Sequence, residues 1–281
     1  EKFKTFLYYT PAVCDSENSK EFTAEFSGLT LNNVCFAYPN TDKPVLKNIS
    51  LTIKPKQKIA LVGYNGAGKS TLIKLIMRLY DPSSGEISIN NENIKNFVLT
   101  SYRNRIAAVF QDFQIFACSI AENVITDKYE NADENKVLNA LECSGFSDKL
   151  HTLDKGILTQ LTKEFDSDGI NLSGGEAQKI AIARVFANPC DLVILDEPSS
   201  ALDPMSEYEL NQTMMSAAFD KTVIFISHRL STTKMADIIY MLEDGQIIEQ
   251  GSHNELMKLN GKYAAMFHMQ AEKYNKKEEM L

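Results

Sequence analysis

From Leu29 onward the apolar positions of the chain fall into short, regular runs. Val34, Phe36 and Tyr38 alternate with polar neighbours, as do Ile49, Leu51 and Ile53, and this period of two predicts strands covered on one face in an antiparallel, β-rich beginning. Next, "KIALVG" leads through a glycine-rich loop into "STLIKLIMRLY", where Leu72, Leu75, Ile76 and Leu79 keep helical spacing, so a strand, a loop and a helix are expected in that order. Helical patterns dominate from about Ser119 to Ala187. After them "LVIL", "TVIFI" and "IIYML" alternate with helical stretches, and strands that are apolar throughout belong to a parallel sheet covered on both faces. The stretch from about Gly261 to Leu281, rich in Lys, Glu and Met, predicts a terminal helix. Residues 1–27 mix aromatic and polar residues without a period and read as a connector or tail.

Composition narrows the class. A chain of 281 residues with 44% hydrophobic content can bury a real core. The net charge of −8 argues against a protein that coats nucleic acid or anionic lipid. Five cysteines, Cys14, Cys35, Cys118, Cys143 and Cys190, include no C-x-x-C pair, so neither a disulfide framework nor a zinc site is expected, and each reads as a small packing residue in a reducing compartment. No apolar run approaches the roughly 18 residues of a membrane-spanning helix. The first residue is Glu1 and not methionine, which suggests an excised fragment.

Chemistry gathers where the apolar strands end. "KIALV" runs into "GYNGAGKST", "IAAVF" into Gln111, "LVIL" into Asp196 and Glu197, and "VIFIS" into His228. Ligands of open parallel sheets bind beyond the carboxyl ends of strands, so these residues can converge. Gly63 to Ser70 fits G-x-x-x-x-G-K-[ST], in which Gly66 and Gly68 let backbone N–H groups turn toward phosphate oxygens at a helix N-terminus. Lys69 would reach the β- and γ-phosphates and Ser70 would ligate Mg²⁺. Asp196 is placed to hold the magnesium shell, and Glu197 to orient or deprotonate the attacking water. His228 either bonds a γ-phosphate oxygen or is an ordinary satisfied histidine, as His151, His253 and His268 are read.

"NLSGGEAQK", residues 171–179, is harder to place. Ser173 and Glu176 have the S-x-x-E spacing of a capping box, as do Ser252 and Glu255. That leaves Gly174 and Gly175, each costing about 1 kcal/mol relative to alanine within a helix. A close approach to that backbone by another group would account for both.

The set and order of these motifs resemble the nucleotide-binding domain of ABC transporters, over about residues 29–260. "GYNGAGKST" resembles Walker A, Gln111 the Q-loop, "LSGGE" the family signature, "LVILDE" Walker B, "SALD" (Ser200 to Asp203) the D-loop and His228 the switch histidine. The resemblance implies an α/β fold: a P-loop NTPase (RecA-like) core with a parallel sheet, an N-terminal antiparallel β-subdomain and an inserted helical subdomain at about 112–188. Residues 1–27 would be a linker remnant following a missing transmembrane domain, 28–270 the ATPase domain and 271–281 a C-terminal tail.

The resemblance also implies a function. Two domains pair head to tail and sandwich two ATP with Mg²⁺, the signature helix of one covering ATP held by the phosphate loop of the other. Ser173, Gly174, Gly175 and Glu176 would meet the nucleotide across the dimer, as would Tyr64, Asn65, Ala67 and Thr71 within the phosphate loop of one domain. Tyr38 in "FAYP" would stack on adenine, or pack in the core as an ordinary strand aromatic. Gln111 would touch Mg²⁺ and sense the membrane partner, and Asp203 would link the two sites. "QDFQIFACSIAENV" and "SHRLSTTKMADIIYMLEDGQIIEQGSHNEL" look like exporter domains fused behind membrane helices, which puts the ATPase at the cytoplasmic face of a membrane. Two departures stand out: Glu176 replaces the commoner glutamine, and "EFDSDGIN" lacks the usual G-E-R-G before the signature. Other readings are a soluble ABC-type clamp on nucleic acid or ribosomes, which the acidic charge disfavours, and a non-catalytic nucleotide sensor, which intact Walker B chemistry disfavours.

Overall fold

The computed structural model describes residues 11–41, 43–196, 212, 214, 218–226 and 230–278. Among them, in chain order, lie β1 (Leu29–Phe36), β2 (Leu46–Ile53), β3 (Lys58–Val62), α1 (Lys69–Ile76), β4 (Ser84–Ile89), β5 (Glu92–Asn93), α2 (Leu99–Arg103) and β6 (Ile106–Val109). There follow α3 (Ile120–Ile125), α4 (Glu134–Cys143), α5 (Ser147–Leu150), α6 (Gly174–Ala187), β7 (Leu192–Asp196) and β8 (Thr222–Ile226). The described chain closes with α7 (Leu230–Thr233), β9 (Ile238–Glu243), β10 (Gln246–Gly251), α8 (His253–Leu259) and α9 (Lys262–Glu278).

Two compact units share these elements. The first draws its described residues from Glu1–Lys54, Tyr64–Asn104 and Leu242–Ile247, the second from Pro55–Gly63, Arg105–Met241 and Ile248–Leu281.

In the first unit the order β2-β1-β4-β5 forms an antiparallel sheet. Leu29 and Leu31 are buried on β1, and so are Val34 and Phe36. The change of phase between these pairs comes from an irregularity in the β1–β2 register between Leu31 and Val34, where Asn33 takes φ 47°; an extra residue of this kind keeps Val34 and Phe36 on the buried face of Leu29 and Leu31, where strict alternation would turn them away. On β4, Gly85 has φ 80° and a Cβ there would lie 2.3 Å from the Asn33 carbonyl oxygen. Helix α1 buries Leu72, Ile73, Leu75 and Ile76. It ends at Ile76, so Leu79, expected on its apolar face, lies beyond the helix and is exposed.

The segment before β1 is bound into this unit. Phe22 is buried, with its ring edge-on to Phe97 at 4.9 Å and to Tyr102 at 6.4 Å. Buried Arg78 donates to the carbonyls of Ile94, Phe97 and Cys14. Three carbonyls and the neighbouring Asp81 carboxylate thus satisfy a guanidinium that would be costly to bury alone.

The second unit is built on the sheet β10-β9-β3-β8-β7-β6. β6, β7, β8, β3 and β9 run parallel. β7 and β8 are buried at every position, as continuous apolar strands between covered faces should be. A separate apolar cluster joins Ile120 and Val124 of α3, Val137, Ala140 and Leu141 of α4, Phe146, and Ile180 and Ala183 of α6. Helix α6 serves both cores, because Ala181, Ile182 and Val185 on its other side pack with the sheet. Arg184, from the same helix, donates to the backbone carbonyl and side-chain oxygen of buried Asn123. The terminal helix expected from the sequence is α9. Of the five cysteines, none forms a disulfide; Cys190 is buried as a packing residue, whereas Cys14 is exposed.

Candidate functional site

Strand register decides which chain segments share an edge. Leu61, Ile226 and Asp196 fall in one row across β3, β8 and β7, and Val109 of β6 pairs with Leu195, one row earlier. The four strands are parallel, so the segments that follow them leave the same carboxyl edge of the sheet. After β3 the chain enters Gly63, and after β6 it passes Phe110 to Gln111; the residues that follow β7 and β8 lie outside the described residues. Asp196, the last residue of β7, is buried; Gln111 is exposed. Glu197, Ser200, Asp203 and His228 lie outside the described residues.

Gly63 is buried at the start of the loop. In the first unit, Tyr64, Asn65 and Gly66 are exposed, Ala67, Gly68 and Lys69 are buried, and Ser70 is exposed again. The two inner glycines have different reasons. Gly66 has φ 82° with open space where a Cβ would stand, so its backbone lies open to an incoming group. Gly68, φ 104°, is the N-cap of α1, and a Cβ there would stand 2.6 Å from the Leu46 side chain. Lys69 folds back across the loop, its Nζ donating to the Tyr64 carbonyl at 3.2 Å.

Two further contacts brace this loop. The Ala67 carbonyl accepts the N–H of Gly245 at 3.2 Å, and the Gly245 carbonyl accepts the N–H of Lys47 at 2.8 Å. Gly245 sits in the β9–β10 turn with Asp244, both at positive φ, as an Asp-Gly hairpin requires. Its Cβ would stand 2.2 Å from the Val45 carbonyl oxygen. Sequence reasoning missed this buttress, although the D-G pair marked the turn.

Tyr38 lies past the end of β1 and is half-buried. Its hydroxyl meets the Thr71 Oγ1 at 3.0 Å, and its ring is edge-on to Phe36 at 5.0 Å and Tyr80 at 5.3 Å. An aromatic cluster thus fixes a ring that still keeps part of its surface open.

In the second unit the signature opens α6. Ser173 is the N-cap, its Oγ accepting the Glu176 N–H at 3.3 Å while Glu176 Oε2 accepts the Ser173 N–H at 2.8 Å. The capping box read from the sequence is formed, as it is at Ser252 and Glu255; a third, Ser119 with Glu122 on α3, went unnoticed. Ser173 and Gly174 are exposed. Glu176 also pairs with Lys149 of α5, Nζ to Oε1 3.0 Å. Its carboxyl is held below the ordinary glutamate range, first by the Ser173 N–H and also by Lys149. No spacing rule pointed to Lys149.

The pieces are chemically coherent. An open loop with a buried lysine before a helix, and a second exposed helix N-terminus with two glycines, are both places where helix dipole and backbone N–H groups favour an anion.

Known proteins resemble this chain over most of its length. The ABC transporter family model matches residues 46–200. An ATP-dependent lipid A-core flippase of Photobacterium profundum is 37% identical over 260 residues, covering 91% of this chain and 43% of that protein. A putative multidrug export ATP-binding/permease protein of Staphylococcus aureus is 38% identical over 242 residues, 86% of this chain and 41% of that protein. The structure of a bacterial Atm1-family ABC exporter with ATP bound superposes with a TM-score of 0.87 at 33% identity, covering 96% of this chain and 46% of the other. This chain therefore spans less than half the length of these relatives. With the family model over more than half of it and relatives of 37% and 38% identity, the chain belongs to the ABC transporter family.

Proposed function

We propose that the chain is the ATP-binding and hydrolysing part of an ABC exporter. It pairs head to tail with a second such domain, a copy of itself or a related half, and is coupled to a transmembrane domain preceding it in the same polypeptide, at the cytoplasmic face of a membrane. Nucleic acid has no part in this reading. The observation that carries it is the phosphate loop: open backbone at Tyr64 to Gly66, then a buried Lys69 and an exposed Ser70 at the start of α1. A triphosphate fits that loop, because Gly66 leaves room beside the backbone where a side chain would intrude.

The residue roles are these. The loop from Gly63 to Thr71 holds the phosphates, Lys69 balances charge at the γ-phosphate, and Ser70, Gln111 and Asp196 hold Mg²⁺. Nucleotide oxygens and water would complete most of the shell, the usual habit of Mg²⁺. Tyr38 receives the adenine. Glu197 orients or deprotonates the attacking water, His228 steadies the γ-phosphate, and Ser173, Gly174 and Gly175 close on it from the partner domain. Catalysis of this kind rests on positioning and electrostatics.

A flippase named for a lipid and an exporter named for many drugs share this segment at 37% and 38% identity. Cargo selection would then reside outside it. The test is a pair of variants: Lys69→Ala should abolish phosphate release, and Glu197→Gln should bind MgATP, hardly hydrolyse it and accumulate as a closed dimer. Undiminished turnover in either variant contradicts the assignment.

A further inference from the structure

The glutamate in the signature raises an electrostatic question. Glu176 places a carboxylate in the first turn of α6, at the helix end that the proposed function offers to the γ-phosphate of a partner's ATP. Like charges in one site oppose each other, so an ionised Glu176 works against the helix dipole that attracts the phosphate.

The three capping boxes among the described residues show how this one differs. On α3 the Ser119 hydroxyl donates to Glu122 Oε2 at 2.6 Å, and on α8 the Ser252 hydroxyl donates to Glu255 Oε2 at 2.8 Å. At the signature the two backbone bonds of the box join Ser173 and Glu176. The ammonium of Lys149 also lies 3.0 Å from Glu176 Oε1. Of the three glutamates, Glu176 is the one with a lysine ion pair among the described residues.

We propose that Lys149 is a positioning residue for the signature: it neutralises Glu176 and holds its carboxylate so that the Ser173 hydroxyl and the Gly174 and Gly175 N–H groups remain directed to the γ-phosphate of a partner's ATP. This rests on the composite-site reading above. Lysine at 149 and glutamate at 176 then act as one unit that substitutes for a neutral amide at 176. Because the pair is partly exposed, with side-chain exposures of 36% and 27%, its effect is modest and weakens with salt.

The experiment is a double-mutant cycle in the Glu197→Gln background, where hydrolysis does not deplete the nucleotide. Sedimentation gives the MgATP concentration for half-maximal dimer at low and high salt, and thermal melting reports stability. Lys149→Met should raise that midpoint about threefold to fivefold at low salt, in line with a partly exposed ion pair, and less at high salt. In a Glu176→Gln chain the same substitution should leave the midpoint where it is, because no charge remains to be cancelled. An equal rise in both backgrounds, or no rise in either while the melting temperature falls, overturns the proposal and leaves Lys149 as a tie between α5 and α6. Ser173→Arg in the same assay separates the levels: if it leaves ATP-driven dimerisation intact, the composite-site reading fails. If it abolishes dimerisation while the cycle is flat, only the role of Lys149 fails.

Discussion

Glycine at two positions near the phosphate loop answers to different forces, and substitution should separate them. Gly66 needs positive φ but has empty space around its missing Cβ, whereas Gly245 needs positive φ and would also drive a Cβ to 2.2 Å from the Val45 carbonyl oxygen. Gly66→Ala should therefore cost about 1 kcal/mol of stability, the strain of left-handed backbone alone. Gly245→Ala should cost roughly 3 kcal/mol or more, since backbone has to move as well; urea unfolding of both variants checks the order. The first of these glycines is legible in the sequence, because it lies inside the loop that the G-x-x-x-x-G-K-S spacing marks. Gly245 is not, since its role depends on Ala67, Lys47 and Val45, which lie far from it in the chain. Lys149 is hidden for the same reason: its partner is 27 positions away across a turn-rich stretch (176 − 149).

At the scale of elements, periodicity read the buried strands well and failed where the backbone departs from regular geometry. β7 and β8 are buried at each position, and all but Asp196 and Thr222 at their ends are apolar. β1 changes phase at Asn33, so Leu29 and Leu31 share a buried face with Val34 and Phe36 that strict alternation cannot connect. Leu79 kept helical spacing in the sequence, yet α1 stops at Ile76 and Arg78 takes φ 52°. Phe22, in a stretch without any period, is buried against aromatic rings 75 and 80 positions further on (97 − 22 and 102 − 22). Phe22→Ala should cost about 3 kcal/mol, as for a buried phenylalanine, although it lies in a stretch read as connector.

The three capping boxes make a pH prediction. Glu122, Glu176 and Glu255 all have carboxyl groups held below the ordinary value of 4.5, mainly by the hydroxyl or N–H of the preceding serine. A depressed folded value contributes stability that is complete above 4.5 and is lost as pH falls through the folded values. Changing all three to Gln should lower the urea midpoint at pH 7, where the charged carboxylates contribute in full, and flatten its further fall below pH 4.5. An unchanged acid slope would show that other carboxylates govern it.

For the molecule as a whole, the family was legible because its motifs are short, local and ordered along the chain: the loop, Gln111, the signature and "LVILDE" each announce themselves within a few residues. The sheet edge that unites the strand ends follows from register, which depends on pairing between distant segments. The central claim is that each ATP site is composite, with the phosphate loop of one chain and the signature of another. Mixing two variants that are each inactive, Lys69→Ala and Ser173→Arg, tests it most directly. In a head-to-tail pair both defects fall in one site and the other site is intact, so turnover should return to about a quarter of the wild-type rate when chains pair at random. A mixture as inactive as its components, despite mixed dimers being present, would contradict the account.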